Sequence, residues 1–253
     1  MGGRIAFRRA NLAPPCHGPG VTMNPESTPT VRSHYKKTWQ NLALGSEGAV
    51  IYVSGYDDED QLHATMEDTL GILRQTVGIR PDDVFLEIGC GVGRVGRGLA
   101  PFVREWIGCD VSSEMIRQAR RKTLGLENVR FVEVSGYDLQ PVPDNSVDVV
   151  YTTVVFMHLD EWDRYNYCLE AFRVLKPGGR FYCDNANIAS DEGWEMFESV
   201  RTRFPSAERP PQSSKCSSVP EIETFLRRAG FVDRHVATRP MWVYGWGTKP
   251  GAL

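Results

Sequence analysis

A chain of 253 residues, 41% hydrophobic and 24% charged, has the make-up of one large domain able to bury a sizeable core. Its formal net charge of −3 offers no general attraction to phosphate backbones, and its lysines and arginines are scattered, which argues against a nucleic-acid substrate. No stretch approaches the roughly 20 apolar residues of a membrane span, and six cysteines without a C-x-x-C pair or finger spacing read as reduced thiols of a cytoplasmic protein rather than as a zinc module.

Residues 1–30 are rich in Pro, Gly, Asn and Thr without apolar periodicity, which predicts a disordered arm. Arg8-Arg9 is followed by no apolar run and position 6 is Ala, so neither a twin-arginine leader nor myristoylation of Gly2 is expected. Aromatic residues then gather at Tyr35, Trp39, Tyr52 and Tyr56 without a clear period. From Asp57 to Val77 the stripe Leu62, Met66, Leu70, Leu73, Val77 predicts a helix, with acids in its first turn.

An apolar strand over 83–88 carries Glu87 and runs into glycines at 89, 91 and 93, spaced to admit a tight turn and a close ligand. A helix over 93–103 follows, its stripe Val95, Leu99, Phe102 and Val103 at helical spacing and its N-terminus open to an anion. Gly91, Gly93 and Gly96 also satisfy G-x-G-x-x-G, a pattern that alone does not choose among nucleotide ligands. A second strand over 105–109 leads to Asp110, nineteen residues after Gly91, where a carboxylate meets a ribose hydroxyl pair. A dinucleotide and S-adenosylmethionine both carry such a ribose. Glu87 separates them, because a carboxylate there holds an ammonium and repels a pyrophosphate.

The alternation continues with a helix over 113–124 capped by Ser112, strands over 129–134 and 147–152, and a helix over 160–175 presenting Trp162, Tyr165, Leu169 and Phe172 inward. A fifth strand over 180–184 precedes helices over 192–204 and 220–229, which flank a Pro- and Ser-rich loop at 205–218. Closing strands over 231–237 and 241–248 are too close for a crossover, so they pair as a hairpin or lie beside a neighbour and break the alternation. The expected fold class is α/β, doubly wound: a mostly parallel seven-stranded sheet with an antiparallel last strand, in three α/β/α layers. One domain is expected over 31–253, with a mobile insert at about 190–218.

Four motifs stand in order between about Leu62 and Lys249: Glu87-x-Gly89-x-Gly91-x-Gly93, Asp110, the run from Pro143 to Val150, and Leu175-Lys176-Pro177-Gly178-Gly179-Arg180. Together they resemble the class I S-adenosylmethionine-dependent methyltransferases. The resemblance implies S-adenosyl-L-methionine as cofactor, S-adenosyl-L-homocysteine as product, and an oxygen or nitrogen of a small-molecule acceptor as target. It implies that Glu87, Gly89, Cys90, Gly91 and Gly93 hold the methionine end, Asp110 the ribose, and Val111 and Met115 the adenine face. Ser135, Gly136 and Tyr137 would follow the adenine rim, and Thr152 and Thr153 would stand at the end of the fourth strand. Arg94 has two readings, a partner for the ligand's carboxylate or a solvated helix residue. Many relatives carry Gly-Asp-Ala after the third strand, where this chain has Val134-Ser135-Gly136.

In relatives the segment before the first core helix folds over the cofactor; here residues 31–60 read as such a lid or as plain packing, with Tyr35, Trp39, Tyr52 and Tyr56 as candidate substrate contacts. His158 is a candidate general base, set against a histidine bonded to backbone at a helix start. Asp184-Asn185 resembles the pair that metal-dependent catechol-type enzymes place on a cation, but Thr152 and Thr153 stand where those need another acid, so no catalytic metal is expected. Asp184, Asn185 and Asn187 remain candidates for orienting a polar substrate. The competing functions are an NAD(P)-dependent oxidoreductase, disfavoured by Glu87 and the terminal hairpin, and a catalytically silent S-adenosylmethionine-binding protein.

Overall fold

A computed structural model describes residues 30–44, 59–210 and 212–251. Its helices are α1 (Thr30–Leu42), α2 (Glu59–Thr76), α3 (Arg94–Leu99), α4 (Ser113–Lys122), α5 (Glu161–Val174), α6 (Asp191–Arg203) and α7 (Val219–Ala229). The strands are β1 (Val84–Ile88), β2 (Glu105–Asp110), β3 (Val129–Glu133), β4 (Val147–Thr152), β5 (Leu175–Asn187), β6 (Cys216–Ser217), β7 (Val232–Arg239) and β8 (Trp242–Thr248). They lie in the order β3-β2-β1-β4-β5-β8-β7, with β6 paired to the far end of β5. Strands β1 to β5 pair in parallel, and β8 runs antiparallel to both β5 and β7.

Helices cover both faces, which is why β1 is buried along its whole length. On one face Leu70, Leu73, Val95 and Leu99 pack on Phe85, Trp106 and Tyr151. On the other, Cys168, Ala171 and Val174 of α5 and Ile222 and Leu226 of α7 pack on Leu86, Ile107, Val150 and Phe181. Val31–Leu253 forms one compact unit. The arm expected over 1–30 lies outside the described residues but for Thr30, as do Tyr52 and Tyr56 of the expected lid; the expected insert at 190–218 holds α6 and β6.

Three local expectations are corrected. The fifth strand is longer than 180–184 because β8 pairs with it from Arg180 to Ala186, and residues 176–179 bulge where the β4 register shifts between Val147 and Val149. Strand β6 falls inside the expected loop; two residues leave no periodic signal. Helix α5 is turned from its aromatic stripe: Trp162 is 72% and Leu169 40% exposed, while Arg164, Tyr167, Cys168, Ala171 and Val174 are buried. Arg164 can lie inside because its guanidinium donates to the Phe156, Leu159 and Cys216 carbonyls, to Ser217 Oγ and to Glu221.

Gly96 sits in α3 against the face of the fully buried Trp106, where a Cβ would stand 2.3 Å from the indole ring. A helical Gly→Ala change ordinarily stabilises, by about 1 kcal/mol. Here Gly96→Ala should instead lose about 1–3 kcal/mol through overpacking, read as a lowered urea midpoint at unchanged m value.

Candidate active site

The turn after β1 is built by backbone bonds to the next strand: the Gly89 and Cys90 N–H groups both donate to the Cys109 carbonyl, at 2.8 and 2.9 Å. Gly89, Gly91 and Gly93 take φ of 70°, 51° and 76°, the left-handed region that a Cβ penalises. A Cβ on Gly89 would meet Val155 Cγ2 at 2.4 Å, and one on Gly93 would meet Ala119 Cβ at 3.2 Å. Those two glycines therefore admit the turn and the close approach of neighbouring elements, whereas Gly91 faces a cavity and donates its N–H to Asp110 Oδ2 at 2.8 Å.

That cavity lies over the C-terminal ends of β1, β2 and β4 and holds about 830 Å³ of empty space, part of it open to solvent. Glu87 forms part of its wall and is 3% exposed. Trp106 Nε1 donates to Tyr151 Oη at 2.9 Å, and Tyr151 Oη donates to Glu87 Oε2 at 2.6 Å, so a buried chain of two hydrogen bonds orients the carboxyl. Burial pushes the Glu87 carboxyl up to about 8, against the pull of the Tyr151 hydroxyl and the Arg94 charge. Asp110 accepts the Gly91 N–H on one oxygen and the Ser112 N–H on the other, at 2.8 Å each. Burial still raises its carboxyl to about 6. Arg94, half-buried at the start of α3, has its guanidinium lowered by burial, and its Nε is buried without a hydrogen-bond partner.

The opposite wall follows β4. Val154 takes φ 61°, a left-handed conformation costly for a β-branched residue, and its N–H is held by Asp184 Oδ1 at 2.8 Å. Asp184, 4% exposed on β5, also accepts from Tyr182 Oη at 3.3 Å, and burial raises it to about 6. A single 3-10 turn then places His158 on the cavity. Its Nδ1 is 2.8 Å from the Gln212 carbonyl, so Nδ1 carries the proton and Nε2 is the bare nitrogen. Burial pulls its pKa down to about 4. Trp39 of α1 meets the imidazole edge-on at 4.8 Å, and Gln40 Oε1 accepts from the Ser112 and Ser113 hydroxyls at the start of α4. Ser112 caps α4 as expected, taking the Met115 N–H at 3.2 Å.

The cavity thus gathers most of the residues singled out for cofactor binding: Glu87, Gly89, Cys90, Gly91, Arg94, Asp110, Val111, Met115, Gly136 and Thr153. His158 and Trp39 line it too. Gly93 caps α3, Thr152 is buried in β4 with an unpartnered hydroxyl, and Ser135 turns its hydroxyl to the Tyr137 and Asp138 N–H groups; these three and Tyr137 do not line it. Tyr35 lies in α1. Asp184, Asn185 and Asn187 do not line the cavity either. Their groups are engaged by Val154, by Ser217 Oγ and by the Ala189 N–H, respectively. Among the described residues no group of three His, Cys, Asp or Glu side chains converges on a metal site. Val155, Leu159 and Tyr167 were not anticipated, since apolar post-strand residues carry no chemical signature and Tyr167 sits beside the aromatic stripe of its helix.

Residues 86–183 match the family model described as a methyltransferase domain. YcgJ, an uncharacterized methyltransferase of Bacillus subtilis, is 36% identical over 173 residues, which make up 68% of this chain and 65% of YcgJ. Phosphoethanolamine N-methyltransferase 1 of Arabidopsis thaliana is 30% identical over 173 residues, 65% of this chain and 34% of that protein. A solved DhpI–SAH complex has the same fold, with a TM-score of 0.64 at 20% identity over 90% of this chain and 100% of that one. The chain spans 65% of the length of YcgJ and 39% and 43% of two other curated relatives. It carries a class I S-adenosylmethionine-dependent methyltransferase domain.

A carboxyl raised to about 8 keeps its proton in the folded chain over a window, from about 4.5 upward, in which the unfolded chain has lost it. Folding stability must therefore fall as pH rises through that window, by at most about 1.4 kcal/mol per pH unit for one group. Asp110 and Asp184, raised only to about 6, have largely titrated below pH 7. Urea denaturation of the ligand-free protein should show a stability loss between pH 6.5 and 8 that Glu87→Gln flattens; parallel pH slopes would contradict the assignment.

Proposed function

We propose that the protein transfers the methyl group of S-adenosyl-L-methionine to an oxygen or nitrogen atom of a small-molecule acceptor, releasing S-adenosyl-L-homocysteine. The observation that carries this reading is one cavity holding three ionisable groups whose needs match three parts of that ligand. Glu87 Oε1, without a hydrogen-bond partner among the described residues, suits an ammonium. Arg94 Nε, buried and unpartnered, suits a carboxylate. Asp110 suits the ribose hydroxyls, and Val111 and Met115 offer an apolar slot to the base. A buried carboxyl at the glycine turn would repel a pyrophosphate, which tells against the nicotinamide alternative.

When bound, the cofactor supplies a sulfonium-activated electrophilic methyl group. The chain's own task is then alignment, from which most of the barrier reduction comes. Thr153, Val154, Val155 and His158 form the wall available to an acceptor, and Trp39 of α1 closes over His158 as part of a lid. The named acceptor of the Arabidopsis relative, phosphoethanolamine, supports a small one. His158 is neutral near pH 7, its Nε2 bare. It is a weak base, but a hydroxyl becomes strongly acidic as its oxygen is alkylated, so a weak base suffices to take that proton. The buried unpaired thiols Cys90, Cys109, Cys168 and Cys183 support a reducing, cytoplasmic setting. Among the described residues no helix is long and apolar enough to cross a membrane.

The direct test is a thermal shift with S-adenosylmethionine, S-adenosylhomocysteine, NADH and NADPH in parallel. A ligand at 100 times its Kd adds about 2.7 kcal/mol, several degrees for a chain of this size. The two sulfur nucleotides should stabilise and the nicotinamides should not; the reverse pattern would overturn the reading. Once an acceptor is found, His158→Ala should lower kcat at least tenfold, a rough lower bound for a lost proton acceptor, with S-adenosylhomocysteine affinity unchanged. Unaltered turnover would remove His158 from the chemistry.

A further inference from the structure

The end of the cavity bounded by β2, the loop after β3 and α5 is apolar apart from two groups. Val111, Met115, Val134, Gly136 and Leu159 line it, and Asp110 already accepts a backbone N–H on each carboxylate oxygen. The second polar group is Tyr167 of α5, a cavity-lining residue only 4% exposed. Its hydroxyl makes no hydrogen bond to any described residue and opens on the cavity. Burial drives the phenol well above its ordinary range, and the neighbouring Cys109, Asp110 and Asp138 add to the rise. The hydroxyl therefore stays protonated and sits where the end of β2, the loop after β3 and the start of α5 converge.

From the loop after β3, Val134 and Gly136 line the cavity and no polar side chain does. The Ser135 hydroxyl caps its own turn, Gly136 has none to offer, and Asp138 Oδ1 accepts the Gln140 N–H at 3.2 Å. Helix α5 is tied to the same loop by Asn166 Nδ2, which donates to the Tyr137 carbonyl, so the phenol is delivered from an anchored helix. A hydroxyl that faces an apolar recess with no protein partner is free to bond a ligand edge that offers donor and acceptor.

Resting on the reading of the cavity as an S-adenosylmethionine site, we propose that Tyr167 reads the polar edge of the ligand's heteroaromatic base, in place of a side chain from the loop after β3. Tyr167 would then be a specificity residue for the purine, contributed by the helix after β4.

The test is calorimetric binding of S-adenosylhomocysteine and of its 6-deamino (purine) analogue, in which a hydrogen replaces the base's amine, to the full chain and to Tyr167→Phe. The unaltered chain should prefer the adenine nucleoside by about 10-fold or more. Tyr167→Phe should weaken S-adenosylhomocysteine about 5–10-fold and narrow the preference, with the ligand-free melting temperature little changed. Unchanged affinity and preference in the variant would overturn the inference and leave the methyltransferase reading standing. Binding of neither nucleoside to the unaltered chain would overturn both. Equal affinity of the unaltered chain for the two nucleosides overturns the role of Tyr167 even if the variant does not fold.

Discussion

The site depends on one backbone carbonyl. Cys109 C=O, at the end of β2, accepts both the Gly89 and the Cys90 N–H, and this forked bond joins the turn after β1 to the strand beside it. With the two strands clamped, Gly91 N–H reaches Asp110, and the N–H of Ser112, two residues beyond that acid, closes on its other oxygen. The conformation that makes this possible is left-handed at three alternate residues, so the glycines are set by chain geometry before any ligand is considered. Acid placement, the start of α3 and the cap of α4 all follow from that clamp.

Around it the protein withholds water from charge. Glu87, Asp110 and Asp184 are all nearly fully buried, and burial raises each above the ordinary carboxylate range. Arg94 is lowered by the same cause. A cavity with carboxyls held partly protonated and a guanidinium whose Nε lacks a partner is one whose ionisable groups gain most from a complementary zwitterion, because the desolvation has already been borne in folding. The Trp106–Tyr151–Glu87 chain spans β2, β4 and β1, so the acid's orientation is fixed by three adjacent strands rather than by its own strand alone.

Much of this was legible in the residues. Strand and helix alternation, the antiparallel close, Glu87, the glycine turn and Asp110 each have a local signal: period, spacing or a residue type that only one conformation suits. What was not legible came from partners far along the chain. Arg164 carries no local signal of burial, because nothing near it in sequence announces the carbonyls of Phe156, Leu159 and Cys216 that receive it. Burying that arginine turned α5 and brought Tyr167 to the cavity while Trp162 went to solvent. Asp184 and Asn185 read as candidates for orienting a polar substrate, yet both are engaged within the fold, and only the positive φ of Val154, invisible in sequence, explains the first.

That strained valine bears on how rigid the site is. A β-branched residue at φ 61° persists only where its surroundings over-determine it. Here Asp184 fixes its N–H from β5, and the neighbouring Val155 lies so close over Gly89 that a Cβ there would fall within 2.4 Å of Cγ2. The turn after β1 and the loop after β4 therefore interlock across the cavity floor: one supplies a missing side chain, the other fills the gap. Neither can move without releasing the other, which makes the floor a fixed template and leaves adaptability to the far wall, where α1 and the 212–216 segment meet His158 through an aromatic contact and a single hydrogen bond. A reaction that asks mainly for alignment is well served by so fixed a floor.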